Sequence, residues 1–212
     1  TYTVVATRTS GGCTANMTGS VEVVQNATPT PGITITETSG TPNDGTVCAG
    51  SALTLTATGG TGYNWTLPGG ATSADNPQSI TSASAANAGV YTVTVSNACG
   101  SATSTVAVVV NTAPTITTAA SSNSPICAEQ TLNLSVSASG TAPLSYTWAG
   151  TGTFSDATIA QPTVTGAATG NYTVTVSNAC GSTTSTVAVV VNAAPTITTA
   201  ASSNSPICAG QT

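Results

Sequence analysis

Cysteines are the residues of this sequence with the most chemical potential, and the chain contains six of them. They are Cys13, Cys48, Cys99, Cys127, Cys180 and Cys208. A zinc site needs Cys or His ligands a few residues apart, but these cysteines are widely separated and the chain contains no His. Because disulfides form in oxidising compartments, the cysteines predict covalent cross-links in an extracellular protein, with no metal or other cofactor.

Groups that could perform acid–base or nucleophilic catalysis are few. The single cation is Arg8, and neither Lys nor His occurs. Six carboxylates are scattered along the chain, at Glu22, Glu37, Asp44, Asp75, Glu129 and Asp156. Since catalysis needs titratable groups placed beside one another, we expect that the protein is not an enzyme. Asp44, Asp75 or Asp156 could contribute to a calcium site, but no D-x-D-x-D cluster supports one.

The surface of the folded protein must be hydrated mainly by uncharged residues. Charged residues make up 3% of the sequence, against roughly a quarter in an ordinary globular protein, so Thr, Ser, Asn and Gly must contact the solvent. A single cation cannot neutralise a row of phosphates, and nucleic-acid binding is therefore excluded. No apolar stretch approaches the roughly 20 residues of a membrane-spanning helix, so we expect no membrane insertion.

Two aromatic pairs have the spacing of a strand face. Tyr63 stands two residues before Trp65, and Tyr146 stands two residues before Trp148. Side chains two residues apart lie on the same side of a strand, so each pair is either part of a core or a platform on which a sugar could stack. A core is favoured. Sequons for N-glycosylation begin at Asn16, Asn26, Asn64, Asn133 and Asn171.

An internal repeat is the strongest pattern in the sequence. Residues 91–131 and 172–212 align without gaps and differ at three places, where Ala102, Thr112 and Glu129 of the first copy become Thr183, Ala193 and Gly210 of the second. The same Tyr, Trp and Cys landmarks recur along the chain with small insertions. Since repeated units of this kind are stacked structural modules, the chain is predicted to contain tandem copies of one small domain.

Within each unit the apolar residues alternate with polar ones, which is the period of a strand with one buried face. Leu132, Leu134 and Val136 show this alternation, and the stretch 172–177 shows it again. In the second complete unit, strands are predicted near 115–119, 131–138, 144–148, 154, 163 and 170–176, followed by a last strand through 187–191. No helical period occurs. Short strands separated by turns predict a β-sandwich.

The repeat also predicts where the domains begin and end. Residues 1–27 are expected to supply the last two strands of an incomplete domain, and residues 194–212 the first strand of another. Complete domains are expected at 28–112 and 113–193. The chain is then a piece of a longer array, with any targeting signal upstream of it.

The stretch Ala-Gly-Val-Tyr-Thr-Val-Thr-Val-Ser-Asn at 88–97 resembles the sixth strand of immunoglobulin-like domains, in which the Tyr forms a hydrogen-bonded corner. Tyr91 and Tyr172 occupy that position. Trp65 and Trp148 match the buried Trp of the third strand. The resemblance implies an all-β fold of tandem immunoglobulin-like β-sandwich domains arranged head to tail, with these four aromatic residues in the structural core.

The fuller pattern is similar to the Ig-like and PKD-like repeats of giant bacterial surface adhesins. It runs Cys-Ala-Gly-x-x-Leu-x-Leu, then Tyr-x-Trp, then Tyr-Thr-Val-Thr-Val-Ser-Asn-x-Cys-Gly-Ser. The resemblance is strongest to gliding-motility adhesins exported by the type 9 secretion route. It implies an extracellular, cell-surface location, neighbouring repeats as partners, adhesion to glycans or other cells through further domains, and no catalytic residues.

Strand directions in such a sandwich discriminate between possible disulfides. Cys48 precedes the second strand and Cys99 follows the sixth, so the two are expected at opposite poles, farther apart than a disulfide allows. We therefore predict an interdomain bond between Cys48 and Cys180. Cys13 and Cys99 would bond to preceding domains, and Cys127 and Cys208 to following ones. Intradomain pairs, Cys48 with Cys99 and Cys127 with Cys180, and reduced thiols remain alternatives.

These expectations favour a structural role in the stalk or filament of an adhesin. Two alternatives remain open at this point. One is a carbohydrate-binding module of a secreted enzyme that degrades polysaccharides, which would use the aromatic pairs. The other is a self-assembling surface layer, in which the uncharged Thr-rich faces would pack side by side.

Overall fold

A computed structural model describes residues 26–203, 206 and 208–210, and the backbone alone of Val5–Thr7 and Thr14–Asn16. The chain divides into two units, Thr1–Val110 (unit 1) and Asn111–Thr212 (unit 2). Within the described residues, regular structure is almost entirely β, with a single 3-10 turn at Ala85–Asn87. The predicted all-β fold is confirmed.

The strands that begin in unit 1 are β1 (Val5–Thr7), β2 (Thr14–Asn16), β3 (Gly32–Glu37), β4 (Thr46–Cys48), β5 (Leu53–Thr58), β6 (Gly62–Thr66), β7 (Thr72–Ser73), β8 (Gln78–Ile80), β9 (Gly89–Asn97) and β10 (Gly100–Asn111). One sheet of the sandwich has the order β4-β10-β9-β6-β7, and the other has the order β3-β5-β8. The strands β1 and β2 form a separate antiparallel pair.

The strands of unit 2 are β11 (Thr115–Ser122), β12 (Ile126–Cys127), β13 (Leu132–Ser139), β14 (Ser145–Ala149), β15 (Thr153–Phe154), β16 (Thr163–Thr165), β17 (Gly170–Asn178), β18 (Gly181–Val189) and β19 (Val191–Asn192). One sheet has the order β14-β17-β18 and the other β11-β13-β16-β15. The short strands β12 and β19 form an additional parallel pair.

Each unit has its own core, which the alternation of side chains along the strands produces. In β9, Tyr91, Val93 and Val95 are buried, while Val90 just before them is exposed and Thr92 and Thr94 between them are half-buried. Successive side chains lie on opposite faces of a strand. The alternate residues of β9 therefore point in turn into the core and toward the solvent. The β17 strand repeats the pattern in unit 2.

A buried Trp lies at the centre of each core. Trp65 of β6 is opposite Val93 of β9, and Trp148 of β14 is opposite Val174 of β17. Both valines are fully buried. They stand two residues after Tyr91 and its counterpart, where an antibody domain has the second Cys of its inter-sheet disulfide. A buried Val in the same core as the Trp therefore occupies the position of that Cys.

Candidate functional site: the cysteine turns

A cysteine occupies the tight turn between the last two long strands of each unit. In unit 2, Asn178 and Gly181 form the last register pair of β17 and β18, which leaves Ala179 and Cys180 in the turn. In unit 1, Asn97 and Gly100 form the corresponding pair around Cys99. We call 97–100 and 178–181 the cysteine turns. Gly closes both turns at positive φ, 139° and 145°, a conformation that other residues rarely adopt.

The Asn side chain at the start of each turn fixes the backbone of the cysteine. The Cys180 N–H donates to Oδ1 of Asn178 at 2.8 Å, and the Cys99 N–H donates to Oδ1 of Asn97 at 2.8 Å. A side-chain oxygen that accepts from the N–H two residues later forms an Asx turn. The two cysteines thus have the same backbone support.

The other end of each Asn amide holds the segment just before the first strand of the sandwich, which is β3 in unit 1 and β11 in unit 2. We call residues 26–29 and 111–114 the leading segments of units 1 and 2. Asn97 Nδ2 donates to the carbonyl of Ala27 at 2.9 Å, and Asn178 Nδ2 donates to the carbonyl of Thr112 at 2.8 Å. Asn178 Nδ2 also donates to the carbonyl of Thr141 at 2.9 Å. One side chain therefore ties the cysteine turn to the leading segment in each unit.

In unit 2 the leading segment has a further set of hydrogen bonds. The Thr112 N–H donates to Oγ1 of Thr141 at 2.8 Å, and the Thr141 N–H donates to the carbonyl of Thr112 at 3.2 Å. The two hydroxyl oxygens are 3.3 Å apart. Since both main-chain polar groups of Thr112 are bound, the leading segment belongs to the folded body of unit 2.

In or directly after each leading segment, the backbone approaches a glycine closely. A Cβ on Gly140 would lie 3.0 Å from Cα of Pro114, and one on Gly59 would lie 2.1 Å from the carbonyl oxygen of Thr30. Both glycines have positive φ, 148° and 99°. Backbone atoms cannot move aside as a flexible side chain can, so these positions need Gly.

The cysteines differ in their bonding. Cys48 and Cys180 are disulfide-bonded, so the predicted use of disulfides is confirmed. Cys99, Cys127 and Cys208 are exposed thiols. Neither intradomain alternative is therefore formed, because each needs one of these thiols. Cys13 lies outside the residues whose side chains are described, and its predicted pairing stays a prediction.

Strand geometry in unit 2 explains why Cys127 and Cys180 stay apart. Cys127 pairs with Asn192, beyond the far end of β18, whereas Cys180 precedes the first residue of that strand. The strand has nine residues, which corresponds to a rise of roughly 30 Å. A disulfide joins Cα atoms no more than about 7 Å apart, so these two cysteines cannot bond to each other.

Uncharged side chains line the cavity beside the cysteine turn of unit 2. An open cavity of about 250 Å³ beside the turn of unit 2 is lined by Thr141, Pro143, Asn178 and Cys180, with Asn111, Ala142, Ser145, Ser177 and Ala179. None of these side chains is a carboxylate or a cation. In the described part of the chain, no three His, Cys, Asp or Glu residues are close enough to hold a metal ion.

Two titratable groups outside the cysteine turns have shifted pKa values. Hydrogen bonds from the side chain and backbone of Thr158 lower the pKa of Asp156, which is an exposed turn residue. Burial raises the pKa of Tyr91, and a hydrogen bond with the side chain of Asn87 opposes part of that shift. Both groups support local structure.

The described residues include no helix of the length and apolarity needed to cross a membrane.

The aromatic candidates are packed inside the two units. Trp65 is 0% and Trp148 is 4% exposed, so neither indole face is available to stack on a sugar. The Tyr91 hydroxyl donates to the carbonyl of Asn87 at 3.0 Å, four residues earlier, and Tyr172 makes the corresponding bond to Ala168 at 3.2 Å. Both tyrosines form the corner that is typical of this fold.

The sequence singled out the cysteines but missed the polar residues that hold them. Asn97, Asn178, Thr112 and Thr141 were not among the candidate residues. The available signal was the sequence Asn-Ala-Cys-Gly, which occurs at 97–100 and again at 178–181. Asn two residues before a turn residue can bond to its backbone. Its second bond, to the leading segment, is visible only once the chain is folded.

No protein-family model matches the sequence, and no curated protein matches it. Among solved structures, an I-band fragment of titin superposes with a TM-score of 0.58 at 15% identity, over 80% of this chain and 67% of that one. Immunoglobulin domains 1–4 of Sidekick-1 give a TM-score of 0.56 at 15% identity, over 81% of this chain and 51% of that one.

The N-terminal eight Ig domains of Down Syndrome Cell Adhesion Molecule give a TM-score of 0.54 at 17% identity, over 79% of this chain and 25% of that one. All three are structures of tandem Ig domains. Identities this low establish the fold alone. The sandwich topology, the buried Trp, the tyrosine corner and these superpositions together show that the chain consists of tandem immunoglobulin-like β-sandwich domains.

Proposed function

We propose that this chain is a non-catalytic structural segment of an extracellular bacterial surface adhesin, of the gliding-motility type. In this function the domains repeat at a fixed step and hold a binding tip away from the cell, or form the shaft of a filament. The observation that carries the proposal is the cysteine turn, which occurs in both units with the same Asn support and the same tie to the leading segment.

Disulfides between successive domains would fix the spacing from one domain to the next. We propose that Cys48 bonds to Cys180, because both are disulfide-bonded while Cys99, Cys127 and Cys208 are thiols. In a longer array Cys99 and Cys13 would bond to preceding domains, and Cys127 and Cys208 to following ones. The near identity of 91–131 and 172–212 supports this, since each repeat then presents one cysteine to each neighbour.

Composition supports the extracellular location. Disulfides persist in oxidising environments, and the scarcity of charge leaves hydroxyl groups as the main polar groups of the surface. Isopeptide bonds, which join Lys to Asn, are impossible in a chain without Lys. Disulfides are therefore the covalent link that this sequence can form between domains.

A peptide map of the chain tests the pairing. The oxidised chain would be alkylated, digested without reduction and analysed by mass spectrometry. We expect one cross-linked peptide that contains Cys48 and Cys180, with alkylated Cys99 and Cys127. The variants Cys48→Ser and Cys180→Ser should each expose the other cysteine to alkylation. A peptide that links Cys48 to Cys99 would contradict the proposal.

The shape of a longer array tests the structural role. Electron micrographs of several consecutive repeats should show thin rods whose length grows in proportion to the number of repeats, and reduction should make the rods bend more. A glycan array with the same protein should show no binding. Domains that move independently on flexible linkers, or glycan binding by the repeats themselves, would contradict a stalk whose domains are joined by disulfides.

A second candidate, a self-assembling surface layer, is favoured by one row of side chains in unit 1. Thr72, Thr66, Thr92 and Thr105 are consecutive register partners across β7, β6, β9 and β10 on the outward face. Such a face has no charged residue to prevent sheets from packing together. Sedimentation at rising concentration should show association that Thr92→Lys abolishes. A monomer at every concentration would exclude this candidate.

A further inference from the structure

We propose that Asn97 and Asn178 are positioning residues, which hold the cysteine of each turn in its bonding place before its partner arrives. The inference rests on the proposed pairing of Cys180, but it concerns how the site is prepared and not which cysteine is bonded. Each Asn would fix two things with one amide group: the backbone of the cysteine and the leading segment of its own unit.

The two halves of the amide have separate tasks. Oδ1 accepts from the N–H of the cysteine, at 2.8 Å in both units. Nδ2 donates to the leading segment, at 2.9 Å to Ala27 and at 2.8 Å to Thr112. Only a side chain with an acceptor and a donor on one short planar group can make both bonds from this position.

The arrangement is the same for a thiol and for a disulfide-bonded cysteine. Cys99 is a thiol and Cys180 is bonded, yet the Asn bonds to the two backbones have equal lengths. The Cys99 thiol also donates to the carbonyl of Asn26 in the leading segment, at 3.3 Å. The disulfide is therefore not needed to create the turn geometry, and the thiol turn is already arranged for bonding.

Preorganisation of this kind should raise the effective concentration of the two thiols toward each other. A group that is held in its bonding arrangement loses less conformational freedom when the bond forms. The chemistry is thiol–disulfide exchange with oxidised glutathione: two protein thiols and one glutathione disulfide give one protein disulfide and two molecules of reduced glutathione. The equilibrium constant of this exchange is the effective concentration.

The experiment measures that constant in the full chain. The parent and its variants would be equilibrated in glutathione redox buffers, quenched with an alkylating agent, and analysed for the fraction of Cys180 in the disulfide. We expect Asn178→Ala to lower the effective concentration roughly tenfold, since it removes hydrogen bonds to Cys180, Thr112 and Thr141. Trp148 fluorescence, with Trp65→Phe in every protein compared, would show whether unit 2 stays folded.

Two further variants separate positioning from general stability. Asn178→Asp keeps the acceptor for the Cys180 N–H but cannot donate to the carbonyl of Thr112, so it should also lower the effective concentration several-fold. Asn97→Ala removes the corresponding bonds to Cys99 and Ala27 at the turn of unit 1, where the cysteine is a thiol, and should leave the effective concentration of the Cys180 disulfide unchanged.

The outcomes are distinct. An unchanged effective concentration in Asn178→Asp, or an equal fall in Asn97→Ala, would overturn the positioning role. If Asn178→Ala unfolds unit 2, Asn178→Asp decides the question, because it keeps the bond that closes the turn. A peptide map of the parent in which Cys180 is linked to a cysteine other than Cys48 would refute the proposed pairing and leave the Asn measurement valid for whichever bond is found.

Discussion

The indole N–H of Trp148 donates to the carbonyl of Ile159 at 3.0 Å, a bond that ties the core of unit 2 to the loop between β15 and β16. The equivalent Trp65 in unit 1 is buried to the same degree, but its Nε1 has no hydrogen-bond partner within the described residues. Two tryptophans at the same place in one fold therefore have different polar environments.

This difference predicts unequal costs for the same substitution. Trp148→Phe should leave the Ile159 carbonyl without its donor, and Trp65→Phe removes an N–H that has no partner. We expect Trp148→Phe to destabilise unit 2 by about 1–2 kcal/mol more than Trp65→Phe destabilises unit 1. Hydrogen exchange resolved by peptide, in a urea series, measures the two units separately. Equal losses of stability would show that the hydrogen bond to the Ile159 carbonyl makes no net contribution to the free energy of unfolding.

Tyr91 predicts how the stability of unit 1 depends on alkaline pH. Burial raises the pKa of Tyr91 above its ordinary value of 10.0, so the folded unit binds the phenolic proton more tightly than the unfolded chain does. This contribution is complete below pH 10 and is lost as the pH rises through the folded-state pKa. The free energy of unfolding of unit 1 should therefore fall above pH 10.

Two variants check this alkaline effect. Tyr91→Phe should lower the stability of unit 1 by about 1 kcal/mol at neutral pH, because the bond to the Asn87 carbonyl is lost, and should reduce the fall above pH 10. Tyr63→Phe, in the same unit, keeps Tyr91 and should retain the fall of the parent. Urea unfolding between pH 7 and pH 11.5, roughly the range that spans Tyr ionisation, gives these values. An undiminished alkaline fall in Tyr91→Phe would assign the effect to other groups.

Two identical segments show how far sequence alone determines this structure. Residues 114–128 and 195–209 have the same fifteen residues. The first segment contains β11, in which Ile116 packs against the core of unit 2. In the described part of the second segment there is no strand, and Ile197 is 87% exposed. Strand propensity is equal in both, so the partner strand β13 decides which one forms a strand.

This pair gives a direct test with matched sequence context. Ile116→Ala should destabilise unit 2 by about 1–3 kcal/mol, because it removes apolar contacts of a half-buried side chain. Ile197→Ala should change the stability of this chain by less than about 0.5 kcal/mol. Thermal unfolding of unit 2, followed by Trp148 fluorescence with Trp65→Phe in every variant, measures both. A comparable loss of stability in the two variants would mean that Ile197 is packed against apolar side chains as Ile116 is.

The alternation of apolar and polar residues was sufficient to predict most strands of unit 2. The predicted strand at 131–138 corresponds to β13 (Leu132–Ser139), and the one at 144–148 to β14 (Ser145–Ala149). The strand β12 was not predicted, because its two residues are too few to show a period and its partner β19 is distant in sequence. The predicted last strand is divided into β18 and β19.

The candidate site was predictable only in part for a similar reason. Cysteine identity and strand direction indicated which thiols could not meet within a domain. The hydrogen bonds of Asn178 to Thr112 and Thr141 join residues 66 and 37 positions apart. No local pattern reports a contact over such separations, since it depends on how the loops meet at one end of the sandwich.

The close approach at Gly59 gives the last prediction. Gly59 and Gly69 both have positive φ, 99° and 86°, but only Gly59 lies against backbone: a Cβ there would be 2.1 Å from the Thr30 carbonyl oxygen, whereas Gly69 has nothing within 4 Å. Gly69→Ala should cost about 1–2 kcal/mol, the strain of a left-handed non-glycine residue. Gly59→Ala should cost clearly more, because Thr30 must also move. Urea unfolding of unit 1, followed by Trp65 fluorescence with Trp148→Phe in every variant, compares the two. Equal losses of stability in the two variants would show that the backbone at Thr30 can shift to make room for a Cβ. The contact with Gly59 would then not hold that backbone in place.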